Sequence, residues 1–316
     1  MPQPWIRSGR GRRGALALLA AAAAALVLAG CGNGPTRGER GLKPLVLTTF
    51  TVLADMTRQV AGDRVEVASI TRPGTEIHGY EPTPGDLKRA AGADLVLENG
   101  LDLERWFEQF IDRAEADRAT LSDGVTTIPI RGASEYAGKP NPHAWMSTAN
   151  AEIYIDNIRK ALTELDPEGR DEYARRAVDY KSRIRKVGEE VRRDLADLPR
   201  AQRALVTCEG AFSYLARDLD LEERYLWPVN ADQQGTPRQV ADLITFVRDR
   251  EVPAIFCETT VSDKSQRQVA REAGSRLGGN LYVDSLSKPD GPVPSYLDLL
   301  RVDVETIARG LKGDAR

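Results

Sequence analysis

Short β-branched runs alternate with longer stretches of helical periodicity along most of this chain. Leu45–Phe50, Val65–Ile70, Asp94–Glu98 and Val125–Ile130 read as strands in the first half, and Ala204–Cys208, Ala254–Glu258 and Leu281–Val283 in the second. Helical patterns between them make βαβ units, and therefore parallel sheet, the expected organisation. Two helix starts are written in the sequence. Thr83-Pro84-Gly85-Asp86 sets a capping hydroxyl before a first-turn proline and an acid, and Thr236-Pro237-Arg238-Gln239 repeats the pattern with glutamine as the returning side chain.

From about Glu168 to Leu198 the pattern changes. The segment is highly charged and, after Gly169 at its start, has Gly188 as its one glycine, with Tyr173, Ala177, Tyr180, Ile184 and Val187 at three- and four-residue spacing. A solvated linker can be equally charged, but the regular apolar stripe and the absence of proline within it predict one long amphipathic helix. The expected fold is α/β with two lobes, each a central parallel sheet flanked by helices, joined by this helix. The expected boundaries are 45–167 for the first lobe, 168–199 for the connecting helix and 200–316 for the second lobe.

The N-terminus is of another kind. Arg7, Arg10, Arg12 and Arg13 precede an apolar run from Gly14 to Gly30, which ends Leu28-Ala29-Gly30-Cys31. A basic start, a short apolar stretch and a small-residue exit mark a secretory signal over residues 1–30. Leu-Ala-Gly-Cys resembles a bacterial lipobox, so Cys31 is the expected lipidated first residue of the mature chain. Residues 31–44 then form a tether rich in Gly, Pro and charge. The run is short for a spanning helix, and attachment is expected through acyl chains. The 44 Lys and Arg, less the four arginines of the leader, leave 40 against 47 Asp and Glu, a net charge of −7. That balance argues against nucleic acid as a partner.

The chain has two histidines, and both lie in proline-flanked loops: Glu76-Ile77-His78-Gly79-Tyr80-Glu81-Pro82 and Asn141-Pro142-His143-Ala144-Trp145. Neutral imidazole is the commonest protein ligand for transition metals. Glu209 and Asp284 each directly follow a predicted second-half strand, where open α/β sheets collect ligands. Taken singly, each acid reads as a strand-end or capping residue and each histidine as a loop residue. Together, two imidazoles and two carboxylates make up a metal shell. His-Glu-x-x-His, Gly-x-Ser-x-Gly and a Walker loop are all missing from the sequence, which argues against a metallohydrolase and for a binding protein.

From about Leu45 to Leu311 the chain resembles the metal-binding solute receptors of ABC importers, the cluster A-I family. The segments that carry the resemblance are His78-Gly79-Tyr80-Glu81-Pro82-Thr83-Pro84, Asn99-Gly100-Leu101, Pro142-His143-Ala144-Trp145-Met146, Glu209-Gly210-Ala211-Phe212-Ser213-Tyr214 and Tyr282-Val283-Asp284. The resemblance implies a metal buried between the lobes, held by His78 and His143 from the first and Glu209 and Asp284 from the second. It also implies a monomer on the outer face of the bacterial cytoplasmic membrane that delivers its cargo to a permease and its ATPase. The family usually has Asp-Pro before its first histidine, where this chain has Glu76-Ile77. The zinc-importing branch has a histidine at the third ligand position and a His-rich acidic loop, both missing here. A carboxylate in that place hardens the site and suits Mn(II), or Fe(II), over tetrahedral Zn(II), although intrinsic affinity for zinc stays high. Cys208-Glu209-Gly210-Ala211-Phe212, Trp227-Pro228-Val229-Asn230-Ala231 with Gln233-Gln234, and Cys257-Glu258-Thr259-Thr260-Val261-Ser262-Asp263 are similar to the manganese branch of cyanobacterial type.

Cys208 and Cys257 each lie at the carboxyl end of a predicted strand, the last residue of one and the last but one of the other, and each precedes a glutamate. Outside the cytoplasm such a pair is expected to form a disulfide; buried thiols or soft-metal ligands are the alternatives. Closing a loop of about 50 residues is worth about 4 kcal/mol in the chain-entropy model. Its position beside Glu209 suggests that reduction loosens that ligand.

Overall fold

The computed structural model describes residues 43–107, 116–131, 136–229 and 235–313. The signal segment and Cys31 lie outside them. Strands β1 (Leu45–Thr48), β2 (Glu66–Ser69), β3 (Leu95–Glu98) and β4 (Asp117–Thr120) form one parallel sheet in the order β2-β1-β3-β4. In the second half β5 (Ala204–Glu209) pairs in parallel with β6 (Glu222–Trp227), and β7 (Ala254–Glu258) with β8 (Arg276–Leu281). The Cys208–Cys257 disulfide ties β5 to β7, with Cα atoms 4.9 Å apart.

Helices separate the strands: α1 (Thr51–Ala61), α2 (Pro84–Ala91), α3 (Thr148–Leu165), α4 (Arg170–Ala196), α5 (Ser213–Leu219), α6 (Pro237–Asp249), α7 (Lys264–Ala273) and α8 (Tyr296–Leu311). Both expected capping boxes are present, Thr83 with Asp86 on α2 and Thr236 with Gln239 on α6. Among the described residues no helix is long and apolar enough to cross a membrane.

Helix α4 is the predicted long helix. Its 27 residues span about 40 Å, and Tyr173, Ala177, Tyr180, Ile184, Val187, Val191 and Leu195 are all buried along one stripe. Each large apolar side chain on that stripe contributes roughly 1.5–3 kcal/mol of burial. Gly188 sits where a Cβ would come within 2.7 Å of the Thr148 hydroxyl. Close approach of the α3 start therefore explains the one glycine in the helix. The largest apolar cluster runs without a break from Val46 on β1, through α3 and α4, to Leu311 on α8. The two halves thus share a core, and residues at their meeting face are held on both sides.

Three strand expectations need correction. Val125–Ile130 contains only an isolated bridge, Pro129 to Pro140, and the fourth strand is Asp117–Thr120 instead. Val125 and Ile128 are apolar because they pack on the core from a loop. The predicted Leu281–Val283 strand lies earlier, at Arg276–Leu281, where Gly278 leaves room for the Phe256 ring: a Cβ there would lie 2.4 Å from it. The third correction is β6, a strand the pattern did not mark at all.

Candidate metal centre

The second half holds two separate two-stranded sheets, β5-β6 and β7-β8, and the carboxyl ends of β5 and β8 come to one place with the loops that carry the two histidines. Glu209 is the last residue of β5, buried along its whole length. Asp284 lies three residues beyond β8. His78 sits in the loop between β2 and α2. That loop is closed by Glu76, whose carboxylate accepts from the backbone N–H of His78 at 2.6 Å and of Gly79 at 3.0 Å. Ile77 is buried in the core. The Glu76-Ile77 pair thus gives this loop its own anchor in place of the family's Asp-Pro. His143 opens a single 3-10 turn, Ala144–Met146, which leads through the capping Ser147 into α3.

These placements bring all four side chains together. His78 Nε2 is 3.0 Å from His143 Nε2 and 3.3 Å from Glu209 Oε1. His143 Nε2 is 3.8 Å from Glu209 Oε1 and 4.0 Å from Asp284 Oδ1. Two donors each roughly 2.1 Å from a shared cation lie about 3.0 Å apart at right angles and about 3.4 Å apart at the tetrahedral angle. The closer pairs already have that spacing, and the longer ones need only a small contraction. The side chains of His143, Glu209 and Asp284 are at most 1% exposed, and that of His78 is 5% exposed. His78 also lines a cavity of about 240 Å³ with Leu101, Arg105, Tyr136 and Lys139.

Burial dominates the electrostatics of this cluster. Burial holds the His78 imidazolium down to about 4, and burial with the neighbouring His78 ring holds His143 well below the ordinary histidine range. Both rings are therefore neutral, the ligating form. Burial, with the charge of Glu76 adding to it, pushes Asp284 up to about 8, opposed by the Thr260 hydroxyl that donates to Oδ2 at 3.3 Å. Asp284 Oδ1 is buried without a hydrogen-bond partner. Leaving a carboxylate oxygen so costs several kcal/mol unless a cation or a proton compensates it. The donor set and this oxygen both fit a divalent metal.

Several residues around the centre escaped the sequence reading. Glu258 ends β7 as Glu209 ends β5, and its carboxylate accepts from the Glu209 N–H at 3.3 Å to each oxygen. Burial, with the charge of Asp284 adding to it, pushes Glu258 up to about 8. The repeated Cys-Glu pair was the available signal. Asn141 accepts from both the backbone and the ring of His143. Glu104 receives the N–H groups of Asn99 and Gly100 and the Thr49 hydroxyl, and Asn99 in turn donates to the Pro142 carbonyl at 3.0 Å. No motif marks Glu104, because its partners converge only in three dimensions. Cys208 and Cys257 adjoin Glu258 but are bonded to each other, so they supply no thiolate to a metal.

Comparison with known proteins gives the family. Residues 46–310 match the family described as zinc-uptake complex component A, periplasmic, or ZnuA. The chain is 49% identical to the iron-binding protein YfeA of Yersinia pestis over 279 residues, covering 88% of this chain and 89% of that one. It is 33% identical over 292 residues to the manganese ABC transporter substrate-binding lipoprotein PsaA of Streptococcus pneumoniae, covering 90% and 94%. The Mn-bound periplasmic metal binding protein of Candidatus Liberibacter asiaticus has a TM-score of 0.79 and 40% identity, covering 85% of this chain and all of that one. A buried histidine–carboxylate cluster at facing sheet ends, in a chain alike over nearly its whole folded length, places this protein in the ZnuA family of metal-binding solute receptors of ABC importers, which are transport components and not enzymes.

Proposed function

We propose that this receptor captures Mn(II), with Fe(II) as the alternative cargo, through His78, His143, Glu209 and Asp284. In this reading it is a monomeric lipoprotein anchored by Cys31 outside the cytoplasmic membrane. It hands the ion to the permease of its ABC importer, which the ATPase drives. Lobes 45–167 and 200–316 supply two donors each, and segment 168–199 connects them.

The observation that carries the metal assignment is the pairing of two neutral imidazoles with two buried carboxylates, one of which has an unpartnered oxygen. A carboxylate at Glu209 adds negative charge and a second oxygen, so coordination rises above four and hard divalent ions gain. Three imidazoles and one carboxylate favour tetrahedral zinc instead. The relatives named for iron and manganese support this side of the family. Zinc competes in dilute buffer through the Irving–Williams order, so cellular choice rests on geometry and supply.

The test is calorimetric titration with Mn(II) of His78→Ala, His143→Ala, Glu209→Ala and Asp284→Ala, beside thermal unfolding of each metal-free variant. Each is expected to bind at least 100-fold more weakly while remaining folded. An unchanged affinity in any one removes that residue from the shell.

A further inference from the structure

Asn141 lies two residues before His143 and is buried at the face where the two halves meet. Its backbone is fixed from both sides: the N–H donates to the Ile128 carbonyl at 2.8 Å, and the carbonyl accepts from the Tyr214 hydroxyl at 2.7 Å. Its Oδ1 accepts from the His143 backbone N–H at 3.0 Å and lies 2.8 Å from the ring Nδ1. Its Nδ2 donates to the Gly210 carbonyl at 2.6 Å and to the Ser213 hydroxyl at 3.2 Å.

These partners settle which way the amide points. A flipped amide would set an N–H₂ against the His143 N–H and an oxygen against the Gly210 carbonyl, losing a hydrogen bond at each end. With Oδ1 opposite it, Nδ1 of His143 must carry the ring hydrogen, which leaves Nε2 bare and facing the centre. His78 Nε2 is 3.0 Å from that bare nitrogen, so the hydrogen between the rings belongs to His78. The same amide holds the residue that follows Glu209. Gly210 is confined there, because a Cβ would come within 2.7 Å of the Pro228 carbonyl.

We propose that Asn141 is a positioning residue that presets His143 in the metal-ready tautomer and, with the other end of the same amide, fixes the Glu209 loop against it. His78 is then the ring that changes on loading: its Nε2 hydrogen leaves to solvent and its Nδ1 takes one up, with no change in net protonation. The inference rests on His143 and Glu209 being metal donors, and its test is arranged so that the two claims fail separately.

With two histidines in the chain, ¹⁵N-imidazole correlation spectra of metal-free protein at pH 8 contain two ring patterns, assigned with a His78→Gln variant. His143 is expected as the Nδ1–H tautomer and His78 as the Nε2–H tautomer, and Zn(II) as a diamagnetic probe should convert His78 to Nδ1–H. Asn141→Ala should release His143 into a tautomer mixture and weaken Mn(II) binding 10–100-fold, the usual loss when a ligand's supporting hydrogen bond is removed. Asn141→Asp, which keeps an oxygen opposite Nδ1, should retain the wild-type tautomer, an outcome that a purely structural role does not predict. An Nε2–H tautomer for His143 in the wild-type protein overturns the proposal, as does an unchanged His143 tautomer in Asn141→Ala. Mn(II) affinity that survives His143→Ala would instead overturn the ligand assignment and leave the tautomer result standing.

Discussion

Cargo affinity should rise with pH through neutrality, and Asp284 sets the slope. The Asp284 carboxyl is pushed up to about 8 by burial and by Glu76, so it holds a proton in the metal-free receptor at pH 7. A metal must displace that proton, which makes binding weaker as pH falls. The histidines add no further slope in this range, because His78 is held down to about 4 and His143 well below the ordinary range, and both are already neutral. For a single displaced proton, apparent affinity rises about tenfold from pH 6 to 7, about fivefold from 7 to 8, and less than about twofold above 8, a total near 2.7 kcal/mol at 1.36 kcal/mol per pKa unit. Glu258, also raised to about 8 and sensing the charge at Asp284, adds up to one further proton. Calorimetry in buffers of different ionisation enthalpy counts the protons directly. The expected count at pH 7 lies between one and two, Glu258→Gln brings it to about one, and Asp284→Asn lowers it by one while weakening binding overall. A count of zero between pH 6 and 7, or an undiminished count in Asp284→Asn, refutes the reasoning.

Two further outcomes follow from the donor set and the disulfide. Glu209→His should move the Zn(II)-to-Mn(II) affinity ratio at least tenfold toward zinc in a competition titration, because a third imidazole favours a smaller, lower-coordinate site; an unmoved ratio sinks this account of metal choice. In unreduced protein lacking Cys31, Cys208 and Cys257 should resist thiol labelling even after denaturation, and reduction should lower thermal stability by up to about 4 kcal/mol and weaken Mn(II) binding with it, since Cys208 adjoins Glu209. Loss of stability with unchanged affinity would make the bond a structural staple only.

Much of the architecture was legible because burial wrote it into the sequence. β1, β3, β5 and β7 are apolar along most of their length, and α4 carries its stripe over about six turns. The strands that escaped notice are β4, Asp-Arg-Ala-Thr, and β6, which begins Glu-Glu-Arg. β4 is an edge strand, and the early residues of β6 are only partly buried, so neither has the apolar signature of a central strand. The four candidate ligands, which the structure brings together, could be picked out because histidine is so rare here and because Glu209 and Asp284 stand just past predicted strands. Asn141, Glu104 and Glu258 could not be assigned, since their meaning lies in partners 49 to 69 residues away or in a convergence of backbone N–H groups.

The central claim is that two imidazoles and two carboxylates hold a hard divalent cation between the two halves. X-ray absorption at the metal edge, on receptor purified from its own host with the metal content measured on the same sample, tests it most directly. The account predicts manganese, or iron, in five- or six-fold coordination, with two imidazole nitrogens and the remaining ligands carboxylate oxygens. Four-coordinate zinc in that native sample would contradict it.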